Sequence, residues 1–265
     1  ARGCMSGTSL EGADAAMVRT DGRHVLEVGP SAYRPYSQPE RDALRVVLGQ
    51  WPGPGLEAAL EVVQTAHADI VSGFEGVDIV GFHGQTLAHA PRDQGTHQLG
   101  DGAALSKAVG LPVVWDFRSA DVALGGEGAP LAPVYHWALA YHAGLKAPVC
   151  FLNLGGVGNI TFVDPGRGPE ALLACDTGPA NAPIDDLILA RTGQSYDTDG
   201  GLARAGQVEQ SIVDRLLGHA YFFRTAPKSL DRDDFHWLAD AVSGLSTQDA
   251  AATLTACAAA SVAAG

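Results

Sequence analysis

Basic residues are scarce in this chain. Seventeen Lys and Arg stand against thirty Asp and Glu in 265 residues, a formal net charge of −13. Nucleic acid needs a basic patch to meet its phosphates, so this balance argues against such a partner. It does not exclude a nucleotide, which backbone N–H groups and a metal ion can hold with few cations. Cysteine is scarce too, and Cys4, Cys150, Cys175 and Cys257 lie far apart. No CxxC pair occurs, which argues against a zinc site or dithiol redox chemistry. Cys150 and Cys175 sit in apolar runs and are expected as buried free thiols, in keeping with a reducing compartment. Apolar runs of membrane-spanning length are missing, and no secretory signal is visible. A cytoplasmic protein with no membrane partner is expected. The first residue is Ala1 rather than Met, so the natural start is expected to lie upstream.

What is present is an ample apolar fraction, 46%, in a length that suits one large domain or two ordinary ones. Strand and helix patterns alternate. DAAMVRT and HVLEVGPSAYRPY read as strands paired antiparallel across Asp21-Gly22. PERDALRVVLGQ reads as a helix opening at a proline. GLEAALEVVQTAHADIVSGF has helical spacing, with Leu56, Leu60, Val63, His67 and Ile70 near one face. VDIVGFHG is expected as a short buried strand running into a polar loop, AALSKAVG as a helix, and LPVVWDF as a second buried strand. That order implies parallel pairing in an α/β sheet. The Gly/Pro-rich stretch from Gly125 to Pro133 is the expected boundary, giving domains at 1–130 and 131–265. Beyond it, a helix around Tyr135–Tyr141 leads to the strand PVCFLNLGG, a tight hairpin, the return strand NITFVDP, and a third strand, ALLACDTGP, ending in an acid. Helices dominate from Asn181 onward.

The densest chemistry lies in the opening segment ARGCMSGTSLEGAD. Gly7, Thr8, Ser9 and Gly12 let backbone amides approach a bound anion, Ser6, Thr8 and Ser9 add hydroxyls, and Glu11 and Asp14 could hold a metal ion. The segment reads as a glycine-rich hairpin able to cradle a phosphate, or as a plain turn. It is no P-loop, since it lacks the Gly-Lys-Ser/Thr ending and the helix that follows it. NLGGVGNIT offers a second hairpin, where Asn153, Gly155, Gly156, Gly158 and Asn159 serve phosphate or sugar contact, or turn geometry alone. A Rossmann site is disfavoured, because Gly156-Val157-Gly158 opens a strand instead of a helix. Two α/β domains, each offering a phosphate-binding hairpin to a shared cleft, are the plan of the actin-like (RNase H-like) ATPases and sugar kinases, and that is the expected fold. A second domain of this kind needs another strand after AATLTACAAASVAAG, so the chain is expected to be truncated at its C-terminus.

Five polar clusters sit at expected strand ends, where open α/β sheets bind ligands. They are MSGTSLEGAD, GFHGQTLAHAP with HQLGD, WDFRSADVALGGEGAPL, NLGGVGNIT and CDTGPANAPIDD. With YDTDGGLARAG and PKSLDRDDF, this set resembles the anhydro-N-acetylmuramic acid kinase family over nearly the whole chain. The resemblance implies an ATP- and Mg²⁺-dependent kinase acting in peptidoglycan recycling. Water attacks the anomeric carbon of the sugar, the 1,6-anhydro bridge opens, and O6 accepts the γ-phosphoryl group. The alternative is a nucleotide- or sugar-binding module of the actin-like superfamily without turnover. Family members are longer, and a homodimer is raised by the resemblance although no sequence pattern supplies its interface.

The family's catalytic Asp, in its DTGP motif, falls on Asp176, the expected general base; the alternative is a turn or cap acid. The nucleotide side takes Gly7, Thr8, Ser9, Leu10, Glu11, Gly12, Ala13 and Asp14 from the first hairpin and Gly155, Gly156, Gly158 and Asn159 from the second, with Glu11 and Asp14 also the metal candidates. The sugar side takes His83, Asp116, Arg118, Asn153 and Asn181. Arg118 suits the lactyl carboxylate of a muramic acid, or pairs structurally with Asp116 or Asp121. His83 donates to the sugar or makes a structural bond. Asn181 orients Asp176 or caps a helix, with Asp185 beside it. Gln85, Thr86 and Asp101 are expected to shape a loop, His89 and His97 are weaker candidates, Gly125, Gly126 and Gly128 serve a hinge or turns, and Lys228 is a substrate or phosphate contact or, more simply, a solvated lysine. Two departures from the family's usual pattern stand out. GTSxDG reads GTSLEG here, and DTGPGN reads DTGPAN, which would strain Ala180 if that position needs a positive φ.

Overall fold

The structure is a computed structural model describing residues 1–7, 10–226, 228–230 and 232–265, with Arg232 and Asp233 described by backbone alone. The chain divides into two compact units, Ala1–Leu131 and Ala132–Gly265.

The first unit is built on strands β1 (Arg2–Ser6), β2 (Gly12–Thr20) and β3 (Val25–Pro35), then helices α1 (Gln38–Arg45) and α2 (Glu57–Ser72). There follow β4 (Val80–Ala90), β5 (Gly95–Leu99), α3 (Gly102–Val109), β6 (Val113–Trp115) and α4 (Ser119–Ala123). The sheet order is β3-β2-β1-β4-β5, with β6 also paired to β4. β1, β4 and β6 run parallel and the outer pairings are antiparallel, as the strand–helix–strand order required. Local chemistry sets the boundaries. Ser37 and Glu40 form a capping box on α1, and Asp101 accepts from the amides of Ala103 and Ala104 to start α3. Val63, His67 and Ile70 of α2 are buried in the core as the spacing implied, with Ala59 and Ala66 beside them. The buried guanidinium of Arg2 donates to the carbonyls of Val71 and Ile70, closing the C-terminal end of α2.

Two expectations need correction here. The polar stretch after VDIVGF is no loop. β4 continues to Ala90 and pairs back with β5, so Gln85 and Thr86 are strand residues and Asp101 is a helix cap. Gly84, at φ 72°, and a register shift between Thr86 and Ala88 carry the strand through its irregularity. β6 is also not a buried strand, since Val114 and Trp115 are exposed. It lies off the main run of the sheet and pairs only with the start of β4.

The second unit opens with α5 (Ala132–His142) and a three-stranded antiparallel sheet of β7 (Val149–Leu154), β8 (Val157–Val163) and β9 (Leu173–Pro179). Helices α6 (Asn181–Thr192), α7 (Gly201–Ala205), α8 (Gln210–Leu217), α9 (Trp237–Ala241) and α10 (Thr247–Ala264) complete it. α10 is buried through Ala250, Leu254 and Cys257 in a core with Leu216, Tyr221, Phe235 and Leu238. Cys175 is buried, but Cys150 is exposed, against expectation. β7 is an end strand of this sheet, and Cys150, Leu152 and Leu154, alternate residues along it, are exposed. Among the described residues no helix is long and apolar enough to cross a membrane.

Candidate functional site

In the first unit, the hairpin between β1 and β2 is pinned at both ends. The carbonyl of Gly7 accepts from Leu10 N at 3.1 Å and from the Gln85 side chain at 3.2 Å. Gln85 is fully buried, so it fixes where the loop leaves β1. At the far end, the Glu11 carbonyl accepts from Tyr36 N and from the Tyr33 hydroxyl, both within 2.9 Å. Leu10 is buried with a φ of 57°, and Gly12 packs against the Arg34 carbonyl so closely that no side chain fits. Ala13 is buried, while the carboxylates of Glu11 and Asp14 face solvent. Partial burial raises the Asp14 carboxyl above its ordinary range. Thr8 and Ser9 lie outside the described residues. Among the described residues no group of three or more His, Cys, Asp or Glu could hold a metal ion.

A second assembly lies at the β4–β5 hairpin, β6 and α4. A cavity of about 180 Å³ is lined by His83, Thr96, His97, Gln98, Trp115, Asp116 and Ser119, among others. Two of the expected sugar residues, His83 and Asp116, share this cavity. Asp116 sits at φ 55° just past β6 and accepts from the Ser119 hydroxyl at 2.5 Å. Arg118 is half-buried, and its Nε donates to His83 Nε2 at 3.0 Å. Neither Asp116 nor Asp121 pairs with it, which corrects both structural alternatives. Asp121 instead accepts from Gly128 N at 2.7 Å and so folds the 125–128 turn. Desolvation disfavours the charge on Arg118, and burial holds His83 below the ordinary histidine range. His89 bonds Thr96 at 2.9 Å and is held down by burial and by Arg118, while His97 bonds the Gln50 carbonyl at 2.8 Å. Trp115 and Gln98 escaped the sequence reading. A tryptophan after an apolar run reads as core, yet Trp115 is exposed.

In the second unit, Asp176 is neither a strand-terminal acid nor a cap. It lies inside β9, opposite Asn159 of β8. Its Oδ2 accepts from Leu230 N at 2.8 Å, its own N–H donates to the Lys228 carbonyl at 3.0 Å, and its carbonyl accepts from the Tyr221 hydroxyl at 2.5 Å. Burial raises the Asp176 carboxyl, and the Leu230 amide offsets part of that. Lys228 places its ammonium 4.7 Å from the Tyr221 ring centroid, so it is no free solvated lysine. Pro227 and Asp231 of the same segment lie outside the described residues. Asn159 and Gly158 occupy β8, Gly155 and Gly156 form the tight turn, and Asn153 is exposed at the end of β7. Asn181 does not orient Asp176. Its side chain donates to the Leu154 carbonyl at 2.7 Å and its amide to the Gly155 carbonyl at 2.8 Å, which ties the start of α6, where Asp185 also lies, to the hairpin.

The sequence profile of the family described as anhydro-N-acetylmuramic acid kinase matches residues 2–265. The chain belongs to the anhydro-N-acetylmuramic acid kinase family. The protein of that name from Cereibacter sphaeroides is 60% identical over 257 residues, covering 95% of this chain and 69% of the relative. Its namesake in Ruegeria sp. strain TM1040 is 55% identical over 269 residues, covering all of this chain and 72% of the relative. A crystal structure of an exopolyphosphatase-like protein is similar at TM-score 0.39 and 13% identity, over 87% of this chain and 65% of that one, too distant to weigh on fold or function. A member of an anhydro-N-acetylmuramic acid kinase family is an enzyme that phosphorylates a sugar, and a kinase draws on a nucleotide. Within this family frame, the alanine of DTGPAN does not take a positive φ. Ala180 has φ −128° and is buried, so the Cβ meets no left-handed strain.

Proposed function

We propose that the protein opens the 1,6-anhydro ring of anhydro-N-acetylmuramic acid and transfers the γ-phosphoryl group of ATP to O6, giving N-acetylmuramic acid 6-phosphate in peptidoglycan recycling. The observation that carries this reading is the setting of Asp176. Its carboxylate is raised by burial and fixed by a backbone amide, as a general base near neutral pH needs to be. Asp176 takes a proton from water as the water oxygen bonds to C1. The C1–O6 bond breaks, and its electron pair stays on O6, which attacks the γ-phosphorus as the bond to ADP breaks.

The remaining roles follow from chemistry. Among the described residues no carboxylate pairs with the Arg118 guanidinium, and a planar bidentate donor matches the lactyl carboxylate. Asp116, Asn153 and Asn181 serve the sugar, with His83 behind Arg118. Gly7, Thr8, Ser9, Leu10, Gly12 and Ala13 offer the first phosphate hairpin, and Gly155, Gly156, Gly158 and Asn159 the second. The exposed carboxylates of Glu11 and Asp14 fit Mg²⁺ bound in its usual manner, through one or two carboxylates with phosphates completing the set. That ion supplies charge neutralisation on the transferring group. A nucleotide donor places the reaction in the cytoplasm.

The deciding experiment is mass spectrometry of the sugar incubated with enzyme, Mg·ATP and ¹⁸O water. A product gaining one phosphate and one ¹⁸O is expected. Phosphorylation without ¹⁸O would refute the hydrolytic opening, and nucleotide binding without any product would favour a binding module.

A further inference from the structure

Resting on the reading that Arg118 receives the substrate's carboxylate, we infer that His83 is a positioning residue: its Nε2 holds Arg118 by Nε and leaves the Nη edge to the substrate. The tautomer follows from the partners. His83 Nδ1 lies 3.0 Å from the Gly84 carbonyl, which can only accept, so Nδ1 carries the proton. Nε2 is then a lone pair, and it faces the Nε–H of Arg118 at 3.0 Å, a group that can only donate. The ring is thus a neutral, directional acceptor between a strand carbonyl and a guanidinium.

Neutrality is the point of the arrangement. A carboxylate at residue 83 would orient Arg118 but also satisfy its charge and compete with an incoming anion. An imidazole orients it and leaves the charge unmet. The acids near Arg118 in sequence are engaged elsewhere, Asp116 by Ser119, Asp121 by Gly128 and Glu127 by Arg92. His89, the other titratable group influenced by Arg118, is also held toward its neutral form. An orienting bond to Nε leaves both terminal nitrogens for the two oxygens of a carboxylate, the fork geometry that makes arginine selective.

The test compares two sugars, 1,6-anhydro-N-acetylmuramic acid and 1,6-anhydro-N-acetylglucosamine, which lacks the lactyl group. His83→Phe keeps a ring but removes the acceptor. It is expected to raise KM for the acid sugar about tenfold, the worth of one charge-assisted bond, and by more than it alters kcat. The neutral sugar's KM should move far less. His83→Gln, whose amide oxygen reaches the Nε2 position, should restore most of the loss, and His83→Asn, which is too short, should not. Adding His83→Phe to Arg118→Ala should cost nothing further. Equal KM increases for both sugars, or equal defects in the Gln and Asn variants, would overturn the positioning role, the first by showing His83 on the common ring. The carboxylate reading has its own failure: Arg118→Ala weakening both sugars equally.

Discussion

Leu230 donates its backbone N–H to Oδ2 of Asp176 at 2.8 Å, across 54 residues of sequence. The bond fixes one carboxylate oxygen. Burial raises the carboxyl despite the bond. A raised value in the folded state means the folded protein holds this proton more tightly than the unfolded chain. The resulting stabilisation is complete below the ordinary carboxylate range and is lost as pH rises through the folded value. At neutral pH the ionised group is therefore a burden on the fold. Asp176→Asn keeps an oxygen for Leu230 and carries no charge. It is expected to raise Tm at pH 7, by an amount that shrinks toward pH 4, while lowering kcat roughly 10²–10⁴-fold. Thermal melts across pH with steady-state rates check both; a lower Tm at pH 7 would show that the charge stabilises.

In the proposed role of Asp176 as general base, the same shift sets the pH dependence of the rate. A base works ionised, so kcat/KM should fall on the acid side, with a midpoint above the usual carboxylate range. A pH–rate profile at saturating nucleotide measures it. A midpoint near that of a free aspartate would mean that Asp176 is solvated in the working enzyme.

Much of this was legible beforehand, for physical reasons. Glycine hairpins announce themselves, because few residues but glycine make tight returns between strands, and both hairpins stand where MSGTSLEGAD and NLGGVGNIT put them. What stayed hidden depended on partners distant in sequence. Arg118 had two nearby acids to choose from and took His83, 35 residues away, on another strand. The GFHGQTLAHA segment looked like loop because glycine, histidine and threonine interrupt its apolar alternation. A register shift in its pairing with β5 absorbs that irregularity. Asp176 looked strand-terminal because Gly-Pro follows it, yet Gly178 and Pro179 remain paired at the sheet edge.

His67 offers a separate handle on stability. It is fully buried, Nδ1 donates to the Val63 carbonyl at 2.7 Å, and its ring meets Phe82 edge-on at 4.9 Å. Burial lowers its value to about 4. The unfolded chain therefore takes up this proton first, and stability falls as pH drops from about 6.5 toward about 4. The loss amounts to roughly 3 kcal/mol over that window. His67→Leu should flatten the acid arm of a urea-denaturation series; an unchanged slope between pH 6.5 and 4 would place the titrating group elsewhere.

Gly102 links the core to the cavity beside Arg118. It opens α3 under the exposed Trp115, and a Cβ there would lie inside the van der Waals envelope of the indole. The ring must move if Gly102→Ala folds, and Trp115 lines the cavity with His83 and Asp116. Overpacking of this kind costs about 1–3 kcal/mol. The substitution should lower Tm, shift the tryptophan emission, and raise KM for the sugar more than for the nucleotide, since His83 and Asp116 line that cavity and none of the residues proposed for the nucleotide does. An equal rise in both constants would mean that the damage spreads through the unit instead of staying at Trp115.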